Sequence, residues 1–344
     1  MLLRKSTSVC LLLLSIHVSV LAAFEPFSFT TAAIGAGLGW LKWDSVMDNT
    51  YCKAYECCRK PYLKWNVEGL KHDLKNFLYG QHIVEDVLVN AIGAHLDNIE
   101  SSRKPLVLSF HGTSGVGKTY VSQLVIANLF EMADRSSFVQ RFSGRIPFTS
   151  SSLIETHKVK LQNTILESLR DCPQSLFIFD DVEEMPPGIL NYIVHILDHN
   201  LILDGVSLSK AIFIFISNIG GVEISQILRN LLENGGTREN ADFHDFESAL
   251  QLASYDSENN GFFRSQLIDS YVVDYFVPFL PLEESHVRSC IMQEFFLLNI
   301  TEQQIDDDML RKITRHITFD GIFVNGGCKR ITKKVGALVR EYFG

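Results

Sequence analysis

The sequence predicts an α/β protein: a parallel five-stranded sheet covered by helices on both faces, then a small C-terminal α-helical domain. Three observations predict it. Five short apolar runs alternate with helical periodicity between residues 106 and 280, the pattern of a sheet buried on both faces. The first run leads straight into Gly112-Thr113-Ser114-Gly115-Val116-Gly117-Lys118-Thr119, the G-x-x-x-x-G-K-T phosphate-binding loop. Beyond Pro281 no further strand pattern occurs, and three helical patterns remain at 283–298, 303–316 and 329–342.

Length and composition suit a folded chain. There are 344 residues, 46% hydrophobic and 21% charged, enough for a well-buried core. The net charge is −9 and no lysine/arginine cluster forms a basic stripe, so nucleic acid is not an expected partner.

Five segments are expected. Residues 1–22 read as a secretory signal peptide: Arg4 and Lys5 precede an apolar run ending in the small residues Ala22 and Ala23. An uncleaved signal anchor is the alternative. Residues 23–43 are apolar, rich in Gly, Ala and Thr, and end in Trp40, Lys42 and Trp43. This composition suits peripheral or monotopic membrane association, with a buried arm as the alternative. Residues 44–104 form a cysteine-containing linker and helical lead-in. Cys52, Cys57 and Cys58 have poor zinc spacing, so disulfides are expected in a secreted chain. Residues 105–282 form the nucleotide-binding domain and 283–344 the small helical domain.

Within the large domain, strands are expected at 106–110, 137–142, 176–179, 211–216 and 272–280. Helices are expected at 116–132, 154–169, 246–254 and 262–267, with another starting at Pro186 and running to about His199. Residues 235–245 read as a mobile loop. A parallel sheet binds ligand at the carboxyl ends of its strands, where the phosphate loop, Asp180-Asp181 and Asn218 all fall.

The loop's glycines let successive N–H groups point inward at an anion, and the following helix adds its N-terminal donors. Lys118 then reaches the β- and γ-phosphates, and the Thr119 hydroxyl holds Mg²⁺. Asp180, after an apolar strand, binds Mg²⁺ through water, while Asp181 orients and deprotonates the attacking water. Asn218 ends the next strand and helps to position that water. ATP and Mg²⁺ are the expected ligands.

The layout resembles an AAA+ ATPase, and its details resemble the torsin family. The residues that carry this are Leu78-Tyr79-Gly80-Gln81-His82, the phosphate loop, the strands running into Asp180 and Asn218, residues 274–282 (DYFVPFLPL) and Gly327-Cys328-Lys329. The resemblance implies a Clp-type relative in the endoplasmic reticulum lumen and nuclear envelope, acting as an oligomer. Asn218 is then the first nucleotide sensor and Lys329 the second. Cys290 and Cys328 sit where torsins are thought to carry a redox-sensitive pair; two buried free cysteines are the alternative. Asn299, in Asn299-Ile300-Thr301, is a glycosylation acceptor in such a lumenal chain.

Three departures bear on activity. Many torsins have asparagine where this chain has Thr119, an ordinary Mg²⁺ ligand. Asp181 stands where the family has glutamate, so the acid is one methylene short and slow hydrolysis is expected. Glu183 and Glu184 follow, expected to point elsewhere. No arginine occupies Ser270-Tyr271-Val272-Val273, where Clp-type relatives carry a trans-acting one. The resemblance therefore implies a membrane-anchored activator whose lumenal domain supplies it. Threading of substrate is discounted, since Ser143-Gly144-Arg145-Ile146-Pro147-Phe148 offers only Phe148 as an aromatic. A nucleotide kinase is disfavoured because no arginine-rich lid follows the sheet. An ATP-gated scaffold with little hydrolysis is the remaining alternative.

Overall fold

The computed structural model describes residues 52, 56–145, 154–197, 202–203, 205–256, 261–262, 265–269, 271–315 and 317–343. The expected signal peptide and membrane-interface segment, together with Phe148 and Ser270, lie outside the described residues. Two compact units meet in sequence at Cys57 and Cys58. In the first, Cys52 is bonded to Cys57; everything below concerns the second.

Two helices come first, α1 (Val67–Phe77) and α2 (His82–Asp97). Asn66 caps α1 by accepting from the Gly69 N–H at 2.9 Å. The sheet domain follows in the order β1 (Leu106–His111), α3 (Lys118–Leu129), β2 (Val139–Ser143), α4 (Ile154–Asp171) and β3 (Leu176–Asp180). It continues with α5 (Asn191–Leu197), a hairpin of β4 (Ile202–Leu203) and β5 (Val206–Ser207), β6 (Ile212–Ser217), α6 (Gly221–Glu233), α7 (His244–Asp256), α8 (Gln266–Asp269) and β7 (Tyr275–Pro278). The last part holds α9 (Glu284–Leu297), α10 (Asp307–Thr314), a hairpin of β8 (Phe319–Asp320) and β9 (Phe323–Val324), and α11 (Ile331–Phe343).

The five long strands form one parallel sheet in the order β2-β3-β6-β1-β7. Side chains alternate between its faces. Leu108, Phe110, Ile178, Ile214 and Ile216 face one core, which also takes in α1, α2, α3 and the C-terminal helices. Phe177, Phe179, Phe213 and Phe215 face the other, beneath α4 to α7. The parallel register sets Phe177 beside Phe213 and Phe179 beside Phe215, with ring centroids 4.7 and 4.8 Å apart. Burying each such ring stabilises the fold by about 2–3 kcal/mol. This rigid ladder fixes the strand ends that carry Asp180 and Ser217-Asn218.

Several elements differ from the sequence expectation for physical reasons. The lead-in helices are built into the nucleotide domain, since Leu70, Leu74, Val84, Leu88 and Ile92 are all core residues. The helix expected from Pro186 begins only at Asn191: Pro187 offers no N–H, and Gly188 has φ +79°, outside helical space. The last strand is shorter than expected. The 235–245 segment is not a free loop, because Thr237 and Asn240 cap a 3₁₀ turn that buries Arg238. Arg238 donates to the carbonyls of Gly80 and Pro281 at 2.6 and 2.9 Å, and pairs with Glu283 at 3.2 Å. It thus ties the α1–α2 turn to the junction of the two domains. The β4–β5 and β8–β9 hairpins have two residues per strand, too few to show a period of two.

Disulfides join Cys58 to Cys172 and Cys290 to Cys328. Among the described residues no helix is long and apolar enough to cross a membrane.

Candidate nucleotide site

Gly112 to Thr119 span the turn from β1 into α3, and the chain's features converge on a cavity of about 450 Å³ in front of them. That volume lies within the usual range for small-ligand sites. Its walls come from the phosphate loop, the ends of β3 and β6, the α1–α2 turn, and the C-terminal domain.

Two glycines show why the loop sequence is needed. Gly112 has φ +151°, and a Cβ there would lie 2.6 Å from the Phe279 carbonyl oxygen. At Gly115 a Cβ would meet the Gly326 oxygen at 2.0 Å. The missing side chain lets the 326–328 segment close on the loop, where the Cys328 N–H donates to the Gly115 carbonyl at 3.0 Å. The helix itself starts at Lys118 rather than Val116, because Gly117 is left-handed with φ +110°.

Lys118 is buried, and its ammonium donates to the carbonyls of Gly112 and Thr113 at 2.6 and 2.8 Å and to Asn218 Oδ1 at 2.9 Å. Burial pushes its pKa down to about 8, with Glu183 and Asp180 opposing the shift. Thr119 Oγ1 lies 3.5 Å from Asp180 Oδ2. Burial, with Asp181 next in size, raises the Asp180 pKa. A hydroxyl and a carboxylate are hard oxygen donors of the kind Mg²⁺ takes alongside phosphate and water. Among the described residues no cluster of three or more His, Cys, Asp or Glu forms a protein metal cage. The donor set therefore fits Mg²⁺ shared with a phosphate chain, held by Thr119 and Asp180.

The two remaining acids behave differently from expectation. Asp181 lies at the cavity with a left-handed backbone, φ +53°, and both its oxygens are taken by Arg145. Glu183, expected to point elsewhere, lines the cavity beside Asn218. It accepts from Ser217 Oγ at 2.9 Å, from the Asn218 backbone N–H at 3.2 Å, and from Asn218 Nδ2. The 3₁₀ turn Val182–Glu184 swings the third residue after Asp180 back toward β6. A straight strand would have carried it away, which is why sequence spacing missed it.

Lys329 Nζ lies 3.5 Å from Ser114 Oγ, so the cation of the C-terminal domain does reach the phosphate loop. Cys290 and Cys328, bonded to each other, line the same cavity. Asn299 is elsewhere, exposed just after α9 with φ +61°. Leu78, Tyr79, Leu282 and Ile331 are apolar or aromatic residues of the cavity lining.

Two buried polar groups brace the loop. Gln81 donates to the Val116 and Leu280 carbonyls at 3.1 and 2.8 Å and accepts from the Leu280 N–H at 2.8 Å. His111, whose pKa burial lowers to about 4, is neutral. Its Nδ1–H donates to the Ile219 carbonyl at 3.0 Å, so Nε2 accepts from Ser109 Oγ at 2.7 Å. The Ser217–Ile219 segment and the loop are thereby held in one register. Gln81 lies in a stretch that carries the family resemblance, while His111 carries no sequence signal beyond its place beside the loop.

Comparisons with known proteins identify the family. A family model described as Torsin matches residues 52–179. A torsin-like protein of Drosophila melanogaster is 35% identical over 338 residues, covering 96% of this chain and 97% of its own. One from Caenorhabditis elegans is 37% identical over 321 residues, covering 92% and 88%. Among solved structures, the Saccharomyces cerevisiae Hsp104–ADP complex aligns over 80% of this chain with TM-score 0.56 and 18% identity. Hsp104 with ATPγS and casein aligns with TM-score 0.52 and 17% identity. The chain spans 46% of the length of each of these Hsp104 chains, and the likeness shows a shared fold. With relatives matched nearly end to end at more than a third identity, this chain belongs to the torsin family.

Proposed function

We propose that this chain is an ATPase of the endoplasmic reticulum lumen and nuclear envelope that remodels protein complexes there. It works as an oligomer, with hydrolysis stimulated by a membrane-anchored activator. The observation that carries the ATP reading is the convergence of Lys118, Thr119, Asp180, Asn218 and Lys329 on one cavity. The apolar lining residues Leu78, Tyr79, Leu282 and Ile331 suit a nucleobase, while the loop amides and Lys118 suit the phosphates. Thr119 and Asp180 would hold Mg²⁺, which would neutralise negative charge on the phosphates.

The dependence on an activator is supported by Tyr271, Val272 and Val273, which offer no cation to a neighbouring site. The lumenal placement is supported by the signal-like residues 1–22, the Asn299 sequon and the three disulfides. Membrane association through residues 23–43 belongs to the same proposal. One observation favours the ATP-gated scaffold instead: the carboxylate of Asp181 is fully engaged by Arg145. Phosphate release by the purified chain, with and without the lumenal domain of an activator, separates the two. Stimulation of tenfold or more supports the ATPase; binding of ATP and activator without stimulated release supports the scaffold.

A further inference from the structure

The sequence lacks an arginine where relatives carry a trans-acting one, yet an arginine of this same chain lies in the cavity wall. Arg145 follows β2 and lines the cavity together with Lys118, Asp180 and Asp181. Its Nε is 2.8 Å from Asp181 Oδ2 and its Nη2 2.9 Å from Asp181 Oδ1, a two-pronged fork.

The backbone is shaped to put it there. The Gly144 N–H donates to the Asp180 carbonyl at 2.9 Å. A Cβ on Gly144 would lie 2.1 Å from the Asp181 carbonyl oxygen. No residue with a side chain fits at that position without displacing the strand end, so glycine brings the next residue against the acid pair.

We propose that Arg145 is a catalytic residue acting in cis: a guanidinium that moves between the Asp181 carboxylate and the terminal phosphate of the bound triphosphate. The inference rests on the ATP reading above and adds a residue to it. A guanidinium fork fits carboxylate and phosphate oxygens with the same geometry. Arg145 is 61% exposed in its side chain and Asp181 18%, so the guanidinium has open solvent on one side through which to swing, and the more highly charged phosphate competes with the single carboxylate for the fork. One movement then does two things. It sets a positive charge where negative charge develops on the terminal phosphate, and it releases the Asp181 oxygens.

The step balances with water as the only co-reactant. The water oxygen bonds to the terminal phosphorus as the bond from that phosphorus to the bridging oxygen breaks. The electron pair leaves with the diphosphate, and the water proton passes to Asp181. Arg145 remains charged throughout and exchanges no proton. An activator's arginine would approach from outside the chain and add to this contribution.

The test compares the full chain with its Arg145→Ala and Arg145→Lys variants. It reads affinity for ADP and for ATPγS by titration calorimetry, and ATP turnover under single-turnover conditions. Expected for Arg145→Ala is an unchanged affinity for ADP, a preference for ATPγS over ADP reduced about tenfold, and turnover reduced at least tenfold, in line with arginines supplied in cis to other nucleotide sites. Arg145→Lys should recover part of the preference but little of the rate, because an ammonium keeps the charge and loses the fork. An unchanged preference and rate in Arg145→Ala overturns this inference alone, and so does a raised rate, which would make Arg145 only a restraint on Asp181. Wild-type protein that binds neither nucleotide overturns the ATP reading as well.

Discussion

Glu183 and Asn218 are joined twice: the carboxylate accepts from both the backbone N–H and the side-chain Nδ2 of Asn218. This double contact leaves Asn218 Oδ1 facing Lys118 at 2.9 Å. The orientation of the asparagine amide is therefore set by an acid three residues beyond Asp180.

Glu183→Gln tests this arrangement. An uncharged amide has one acceptor oxygen in place of two and leaves the Asn218 orientation unfixed. Turnover should fall about ten- to a hundredfold while nucleotide affinity changes by less than threefold, since misplacements of about 1 Å carry such costs. Activator-stimulated phosphate release and nucleotide titration together check it. Equal losses in affinity and rate would point to a binding role instead.

Lys118 gives binding a pH signature. Burial holds its pKa near 8, and a phosphate beside the ammonium favours the charged form and raises that value. At pH 8.5 the free lysine is mostly neutral, so ATP binding should take up part of a proton. At pH 6.5 the lysine is charged in both states and contributes no uptake. Calorimetry in buffers of different ionisation enthalpy reads this directly. In the free protein the same group makes stability rise with pH from about 8 toward the ordinary lysine range, because the unfolded chain holds more protons there.

Arg238→Ala should destabilise the protein. It leaves the carbonyls of Gly80 and Pro281 and the Glu283 carboxylate without their donor at a buried junction. Losses of this kind cost about 3 kcal/mol, which corresponds to a fall in Tm of roughly 6–12 °C for a domain of this size. Thermal unfolding followed by circular dichroism measures it, and Arg238→Lys should recover only part of the loss because one ammonium cannot span all three acceptors.

Much of this was legible in the sequence where a local pattern matches a physical requirement. The G-x-x-x-x-G-K-T octet located the site because glycine at Gly112 and Gly115 is dictated by close backbone approaches. The apolar runs ending at Asp180 and Asn218 located the strand ends. The residues that pattern could not reach are brought in by backbone turns. Glu183 arrives through a 3₁₀ turn, Arg145 through Gly144, and Arg238 through a capped turn inside a polar stretch. Each makes its contacts with residues at least 34 positions away, or across a turn whose direction spacing does not encode. The C-terminal domain was legible as helices, but the approach of Lys329 to Ser114, 215 residues earlier, rested on family resemblance until the fold showed it.

The account's central claim is that this cavity binds Mg²⁺–ATP through Lys118. Titration of the full chain with ATP in the presence of Mg²⁺, beside Lys118→Ala, tests it most directly. The account predicts saturable binding of one ATP per chain in the wild type and affinity reduced at least a hundredfold in the variant, whose folded state is checked separately by circular dichroism, since it also loses the donor to the Gly112 and Thr113 carbonyls and Asn218 Oδ1. Equal affinity in the two proteins, or no binding by the wild type, would contradict it.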